Sequence, residues 1–415
     1  MKSWKEIPIV SDVGHEVDAA LEQGRGVFHL LQDLVHREFC TPGANLRLDP
    51  RDWFVHGPRK GIDERWFAST MPAQNTFQVA NEGLSFVLGP NGKRFTLADA
   101  VQERGPALVG QQMWDDHGQW AAYSKFFDNK YALPLHSHMG DADAARVNML
   151  GKPESYYFPW HYNQHWPQEP VTFIGLRPGT TKSDVRRCLD LWGTQGSDIR
   201  YLSQGYLMEP GTGWLMPPRT LHAPAGVCTF EPQCWSDTFQ MYQARTTDGW
   251  LDRDVLLFKD VPPDKAGDLD YMVELLDWET NLDPDFARKH HLRPVQDTVR
   301  SQPGVVDRRW VVYGRIGGKE LFSAAETTLM PGASVTLHDR GASGILFMTG
   351  RGRIGGHPVE VPTLMRFYEV VWDEFFISAE AADGTEIVNE GKSPMVFLQY
   401  YGPDTWGDEL PGSPS

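Results

Sequence analysis

Two histidines two residues apart, His136 and His138, open a set of residue types that bind divalent metals. On a β-strand this spacing points both imidazoles to one face. Glu154 follows at the start of an aromatic run, and His222 follows a turn rich in glycine and proline. Imidazole and carboxylate groups suit divalent first-row metals. We therefore predict that these four side chains hold one divalent ion, with zinc as first choice and manganese, iron, cobalt or nickel as alternatives.

The elements that must position these residues are mostly short strands. Runs such as Val171–Leu176 have strand character, and 30 Pro and 40 Gly supply the turns that all-β architectures need. The spacing of apolar residues predicts helix over residues 14–40, with a break near residues 24–26. A second helical segment is predicted over about residues 178–195, between the two ligand motifs. Leu97–Glu103 is predicted to be a short helix with Thr96 as its N-cap.

Composition limits the classes of partner. A length of 415 residues suits two domains or one large domain with insertions. The net charge of −16 argues against nucleic acid as a ligand. The four cysteines form no C-x-x-C pair and indicate free thiols in a reducing compartment. The sequence has no apolar run long enough to span a bilayer. We expect a cytoplasmic protein, a monomer or homodimer, without a membrane or nucleic-acid partner.

The ligand motifs resemble the two-part signature of the cupin superfamily. The first part is His136-x-His138 with Glu154, and the second is Gly211-x5-Pro-x-Arg-x-x-His222. The long gap before Glu154, and the Lys-Pro-Glu that carries it, are similar to the type I mannose-6-phosphate isomerases. Three further segments are similar to that family: Asp63–Thr70, Phe126–His138 and Phe173–Pro178. The resemblance as a whole covers about residues 60–240. The resemblance implies an all-β fold of two cupin jelly-roll barrels, with an N-terminal helical extension and a helical insert.

The chain departs from the family at several positions. The family has Gln at the place of His136, and cupins usually have Gly at the place of Arg219. After Ser236-Asp237 the family continues with Asn and then an Arg thought to stabilise the enediolate. Here Thr238 replaces Asn, and the next arginine is Arg245. These departures bear on the substrate more than on the fold.

The C-terminal half also follows a cupin pattern, but its ligand set is incomplete. Pro331–Gly350 and Asp373–Asn389 have the succession of short strands and turns that a cupin has. His338 lacks a second histidine two residues on, because that place holds Arg340. One ligand cannot hold a metal. We predict a metal-binding domain over residues 1–285, a metal-free cupin domain over residues 286–405, and a flexible tail over residues 406–415.

The family resemblance implies a metal-dependent aldose–ketose isomerase that acts on a hexose or hexose phosphate through a cis-enediolate. Lys152, two residues before Glu154, would share its strand face and stabilise a developing oxyanion. Further catalytic candidates are His161 and His165 as base or sugar contact, and Arg219, Arg177 or Lys182 as the missing cation. Glu231 and Asp237 are weaker base candidates.

Two other functional classes use the same ligand set. One comprises metal-dependent dioxygenases and lyases, and the other comprises proteins that bind a sugar without turning it over. The sequence therefore predicts a metal site and a small carbohydrate partner, while the reaction rests on the family resemblance.

Overall fold

Antiparallel strands dominate the computed structural model, which describes residues 3–38, 40–58, 60–164 and 169–414. The strands up to residue 250 are β1 Val27–Leu31, β2 Asp33–Arg37, β3 Gly61–Phe67, β4 Phe86–Leu88, β5 Arg94–Thr96, β6 Ala122–Asp128, β7 His136–Ser137, β8 Glu154–Tyr157, β9 Val171–Leu176, β10 Ser203–Leu207, β11 Gly213–Met216, β12 His222–Ala223, β13 Cys228–Cys234, β14 Gln240–Met241, β15 Arg245–Thr246 and β16 Gly249–Trp250. The later strands are β17 His291–Leu292, β18 Val295–Gln296, β19 Val306–Val312, β20 Ser323–Leu329, β21 Ser334–His338, β22 Ser343–Thr349, β23 Arg351–Ile354, β24 His357–Glu360, β25 Glu374–Ile377, β26 Asp383–Asn389 and β27 Met395–Tyr401.

Short α-helices connect the strands. They are α1 Val13–Gly24, α2 Leu97–Val109, α3 Gln111–His117, α4 Asp141–Ala144, α5 Lys182–Asp190, α6 Arg253–Leu256, α7 Leu269–Glu274, α8 Trp278–Asn281 and α9 Phe286–His290. The predicted insert is confirmed by α5, which starts with a reciprocal cap between Thr181 and Asp184. The predicted cap of α2 is also present, since the Thr96 side chain accepts from the Asp99 amide.

The predicted N-terminal helix is right only for its first half. Helix α1 ends where Arg25 and Gly26 adopt left-handed backbone conformations, with φ of 55° and 81°. Residues 27–31 and 33–37 are strands in which every residue is buried. Apolar residues in a run buried on both faces recur at helical as well as strand spacing, so periodicity alone does not separate the two.

Two sheets carry the metal-ligand motifs. The first has the strand order β10-β9-β12-β7-β14, and the second has the order β17-β11-β8-β13-β6-β3-β2. They meet at the site described below. Helix α5 packs beside the first sheet through Val185 and Leu189, in a core cluster that also contains Leu221 and Leu276.

Two further sheets contain most of the C-terminal half. Their strand orders are β18-β19-β20-β27-β22-β25-β1-β4-β5 and β21-β26-β23-β24. The first includes N-terminal strands, because β1 pairs with β25 in the register Val27↔Ile377 and His29↔Phe375. This sheet thus joins strands from both sides of the predicted boundary at residue 285, and the domain boundaries themselves stay a prediction.

Buried polar contacts also join the halves. The Arg65 guanidinium on β3 bonds both carboxylate oxygens of Asp373, at 2.9 and 2.8 Å, and lies 3.2 Å from Glu374. The Tyr400 hydroxyl donates to the Phe67 carbonyl at 2.7 Å. The largest apolar cluster includes residues from both halves. The halves are therefore packed through a common core.

The mainly β class is confirmed. Closure of the sheets into two barrels stays a prediction, as does the flexibility of residues 406–415, where Trp406 and Leu410 are buried. Among the described helices, none has the length and apolar character needed to cross a membrane.

Candidate metal centre

Strand pairing brings the histidines together. His136 on β7 and His222 on β12 are direct partners in the first site sheet, with ring centroids 4.2 Å apart. His138 follows the end of β7, and its ring centroid lies 5.1 Å from each of the other two. Glu154 begins β8 in the other sheet and reaches the same point. The ligand atoms of all four side chains lie within 4.8 Å of one another, and all four residues are buried.

Hydrogen bonds fix the tautomer of each imidazole. Nδ1 of His136 lies 2.8 Å from the Pro134 carbonyl, and Nδ1 of His222 lies 2.7 Å from the Thr220 carbonyl. Nδ1 of His138 bonds the Thr238 carbonyl. A carbonyl only accepts, so Nδ1 carries the proton in each ring. In a neutral ring the Nε2 lone pair is then free, as metal ligation requires.

Burial keeps the rings of His136 and His138 neutral. It is the main cause that lowers the pKa of His138 to about 4, and it lowers the pKa of His136 well below its usual value. Burial opposes ionisation of Glu154, but His138 and Lys152 outweigh it and hold the pKa of this carboxyl low. At neutral pH the imidazoles of His136 and His138 are therefore uncharged beside the Glu154 carboxylate.

The inward-facing atoms lack hydrogen-bond partners among the described residues. They are Nε2 of His138, Nε2 of His222 and Oε2 of Glu154. Each of these nitrogens nevertheless lies 2.9 Å from a Glu154 oxygen. Two acceptors at that distance, buried and without a proton between them, are unfavourable. A divalent cation at their centre removes the conflict, so the donor set fits a metal.

A row of buried ion pairs leads away from Glu154. Lys152 Nζ lies 3.1 Å from Glu154 and 3.6 Å from Glu231, and Lys125 Nζ lies 3.5 Å from Glu231 and 3.3 Å from Glu64. Lys152 is thus beside the ligand Glu154, as their spacing predicts. Its catalytic role stays a prediction.

The row continues through Arg37 on β2 to Asp237. The Arg37 guanidinium contacts Glu64 at 3.1 Å and Asp237 at 3.0 Å, and it donates to Asn75 Oδ1 at 3.0 Å. From one end to the other the row is Glu154, Lys152, Glu231, Lys125, Glu64, Arg37 and Asp237. Arg37 thus brings a cation to Asp237 from a distant strand.

The two weaker base candidates differ in ionisation. Burial, followed by the charge of Glu154, raises the pKa of Glu231 to about 8. Burial also disfavours the charged form of Asp237, but Arg37 and Lys125 outweigh it and lower the pKa of that carboxyl. Glu231 alone of the two is poised to take and give a proton near neutral pH.

The other proposed cations hold structural contacts. The Arg219 guanidinium donates to the carbonyls of Leu275, at 2.7 Å, and Glu274, at 2.8 Å. Arg177 donates to the Ser203 carbonyl. Lys182 forms an exposed ion pair with Glu274. Their catalytic roles stay predictions.

His161, in the turn that follows β8, is not part of the cluster described above. His161 is partly buried in a turn, and its Nδ1 has no hydrogen-bond partner among the described residues. Burial, with a contribution from Arg47, lowers the pKa of its imidazole. His165 lies outside the described residues. In the C-terminal half, exposed His338 pairs with Asp383 at 2.7 Å.

Tyr156 is a site residue that sequence reasoning did not assign. Its hydroxyl donates to Glu154 Oε1 at 2.6 Å. In the sequence the residue is only one member of the aromatic run after Glu154. Its position two residues after Glu154 on β8, and so on the same strand face, was the available signal.

The sheets and the cluster define a mainly antiparallel β protein with a buried group of three histidines and one glutamate that resembles a metal site. No protein-family model matches the sequence, and no curated protein matches it.

Solved structures match nearly the whole chain. A putative mannosephosphate isomerase from Archaeoglobus fulgidus matches with a TM-score of 0.59 and 12% identity, over 91% of this chain and 97% of that chain. The mannose 6-phosphate isomerase from Bacillus subtilis matches with a TM-score of 0.57 and 17% identity, over 90% and 99%. A zinc-bound mannose 6-phosphate isomerase matches with a TM-score of 0.59 and 11% identity, over 91% and 99%. The chain thus has the fold of these isomerases, which confirms the predicted resemblance at the level of fold.

Proposed function

We propose that this protein is a metal-dependent aldose–ketose isomerase for a hexose or hexose phosphate. The observation that carries the proposal is the buried His136, His138, Glu154 and His222 cluster beside Lys152, on the fold of the mannose-6-phosphate isomerases. We also propose that the four sheets form two cupin barrels, that the ion is zinc, and that the protein works in the cytoplasm.

His136, His138, Glu154 and His222 would hold a divalent cation, which would supply a Lewis acid for the carbonyl and adjacent hydroxyl oxygens of a sugar. The surrounding side chains do the rest. Lys152 holds positive charge close to Glu154 and so favours the negative charge that develops on a sugar oxygen. Glu231, between two lysines and with a pKa of about 8, takes a proton from one sugar carbon and returns it to the neighbouring carbon. The substrate intermediate is then a cis-enediolate.

The test is exchange of the C2 proton in deuterated water, followed by NMR, for free and phosphorylated aldoses with each metal loaded. We expect exchange for at least one aldose together with formation of the ketose. His138→Ala should strip the metal and abolish exchange. Glu231→Gln should keep the metal but slow exchange by about 10²- to 10⁴-fold. Absence of exchange with every aldose and metal would refute the isomerase.

One observation favours a second candidate. His136 stands where the isomerase family has Gln, so the ligand set is the three-histidine, one-glutamate set of cupin dioxygenases. Oxygen uptake with iron or manganese loaded, in the absence of aldose exchange, would move the protein to that class.

A further inference from the structure

A second cluster of metal-ligating side chains lies away from the first. It comprises His36 on β2, His56 in the turn before β3, and Glu82, whose ligand atoms lie within 4.8 Å of one another. Strands β8 and β2, which carry Glu154 and His36, are four positions apart in their sheet. At the usual strand spacing this is a separation of about 19 Å across the sheet. The second cluster is therefore a separate site.

Glu82 fixes the orientation of His36. Its Oε1 lies 2.7 Å from His36 Nδ1 and also accepts from the His36 amide at 3.2 Å. Its Oε2 accepts from Asn75 Nδ2 at 3.0 Å. The carboxylate accepts the Nδ1 proton, so the lone pair of a neutral His36 ring is on Nε2. A carboxylate behind a ligating imidazole is the common arrangement in metal sites.

Two buried nitrogens in this cluster have no hydrogen-bond partner among the described residues. They are Nε2 of His36, whose side chain is fully buried, and Nε2 of His56. The ring centroids are 5.3 Å apart. Burial, followed by the neighbouring His36, lowers the pKa of His56, which favours an uncharged ring with an available lone pair. Unpartnered polar atoms in a buried site need an explanation, and a bound ion between the two rings supplies one.

We propose that His36 and His56 bind a second divalent metal ion through Nε2, with Glu82 orienting His36. Imidazole donors select zinc, nickel or copper over magnesium or calcium. The ion would tie the turn that carries His56 to β2. It would thereby hold in place the segment of β2 next to Arg37, which belongs to the row of ion pairs that starts at the first site.

The test counts zinc bound to the full-length protein by equilibrium dialysis and elemental analysis. We expect two zinc ions in the wild type. The His138→Ala/His222→Ala protein should keep one, His56→Ala should keep one, and the triple variant should keep none. Glu82→Gln should reduce the affinity for the second ion by about 10- to 100-fold.

His338→Ala is the matched control, because His338 also pairs with a carboxylate at 2.7 Å but lies at the surface. It should still bind two ions. Circular dichroism of each metal-free variant checks folding, and zinc should raise the melting temperature of His138→Ala/His222→Ala but not of the triple variant. A single zinc in the wild type, or a second zinc that survives His56→Ala, would overturn the proposal. Either result leaves the isomerase proposal unaffected, since no activity is measured.

Discussion

At the scale of single residues, Tyr156 makes the contact that orients the Glu154 carboxylate, the predicted metal ligand. Its hydroxyl donates to Glu154 Oε1 at 2.6 Å. We expect Tyr156→Phe to reduce metal affinity by about 10- to 100-fold, because groups that hold a ligand in place contribute that much. Competition with a chromogenic chelator measures the change.

Tyr157→Phe provides the control on the adjacent residue. The Tyr157 ring is equally buried, but its hydroxyl donates to Glu326 at 2.9 Å. The substitution should leave metal affinity unchanged. Equal losses in the two variants would mean that the effect comes from packing rather than from the contact with Glu154.

The sequence predicted which residues are close together in the cluster, because imidazole and carboxylate at strand spacing carry a recognisable pattern. It did not predict the row of ion pairs. Lys125, Glu64 and Arg37 come from three different strands, and only the sheet register makes them neighbours. Arg219 is a related case: its φ of 65° is a left-handed backbone conformation that favours Gly over Arg. Its amide donates to the His138 carbonyl at 2.7 Å, a contact that only the folded chain reveals.

At the scale of elements, the junction between β1 and β25 is sensitive to acid. His29 on β1 is buried, bonds the Val371 carbonyl at 2.6 Å and stacks on Trp372. Burial lowers the pKa of its imidazole to about 4. The unfolded chain binds the proton more tightly, so stability is full above pH 6.5 and falls as the pH drops towards 4. We expect His29 to account for a loss of about 3 kcal/mol in the free energy of unfolding over that range.

The measurement is urea unfolding of wild type and His29→Gln at several pH values. The variant should be less stable at pH 7 but should lose less stability than the wild type between pH 6.5 and 4. His117→Gln, at an exposed position, should follow the wild-type profile. Parallel pH profiles for wild type and His29→Gln would contradict the prediction.

Elements with their own local signals were predictable. Helix α5 has a capping box at Thr181, and Thr96 caps α2 in the expected way. Strands β1 and β2 were not, because their backbone partners are remote. Val27 pairs with Ile377, and Asp33 pairs with Trp66. Nothing local in the sequence distinguishes such buried segments from helix.

At the scale of the whole molecule, the sheet that contains β1 and β25 predicts that the halves depend on each other. We expect residues 1–285 expressed alone to be insoluble or poorly folded, because β1, β4 and β5 lose the sheet they extend. Arg65 would also lose its partners Asp373 and Glu374 inside the core. Co-expression with residues 286–415 should restore a soluble complex.

Solubility, gel filtration and circular dichroism of the fragment test this dependence. As a control, the same two fragments purified separately and mixed should recover less folded protein than co-expression. A stable monomeric fragment 1–285 with native strand content would show that the two halves are independent.

The pairing of β1 with β25 also has a consequence for synthesis. Val27 leaves the ribosome about 350 residues before its partner Ile377. At about 5 to 20 residues per second, the interval is roughly 20 to 70 s. Throughout this interval the strand Val27–Leu31 lacks its partner β25 and has an unpaired backbone edge. Such an edge is a template for aggregation. Translation speed and chaperone supply should therefore influence the yield of this protein more than that of a chain whose domains close in the order in which they are made.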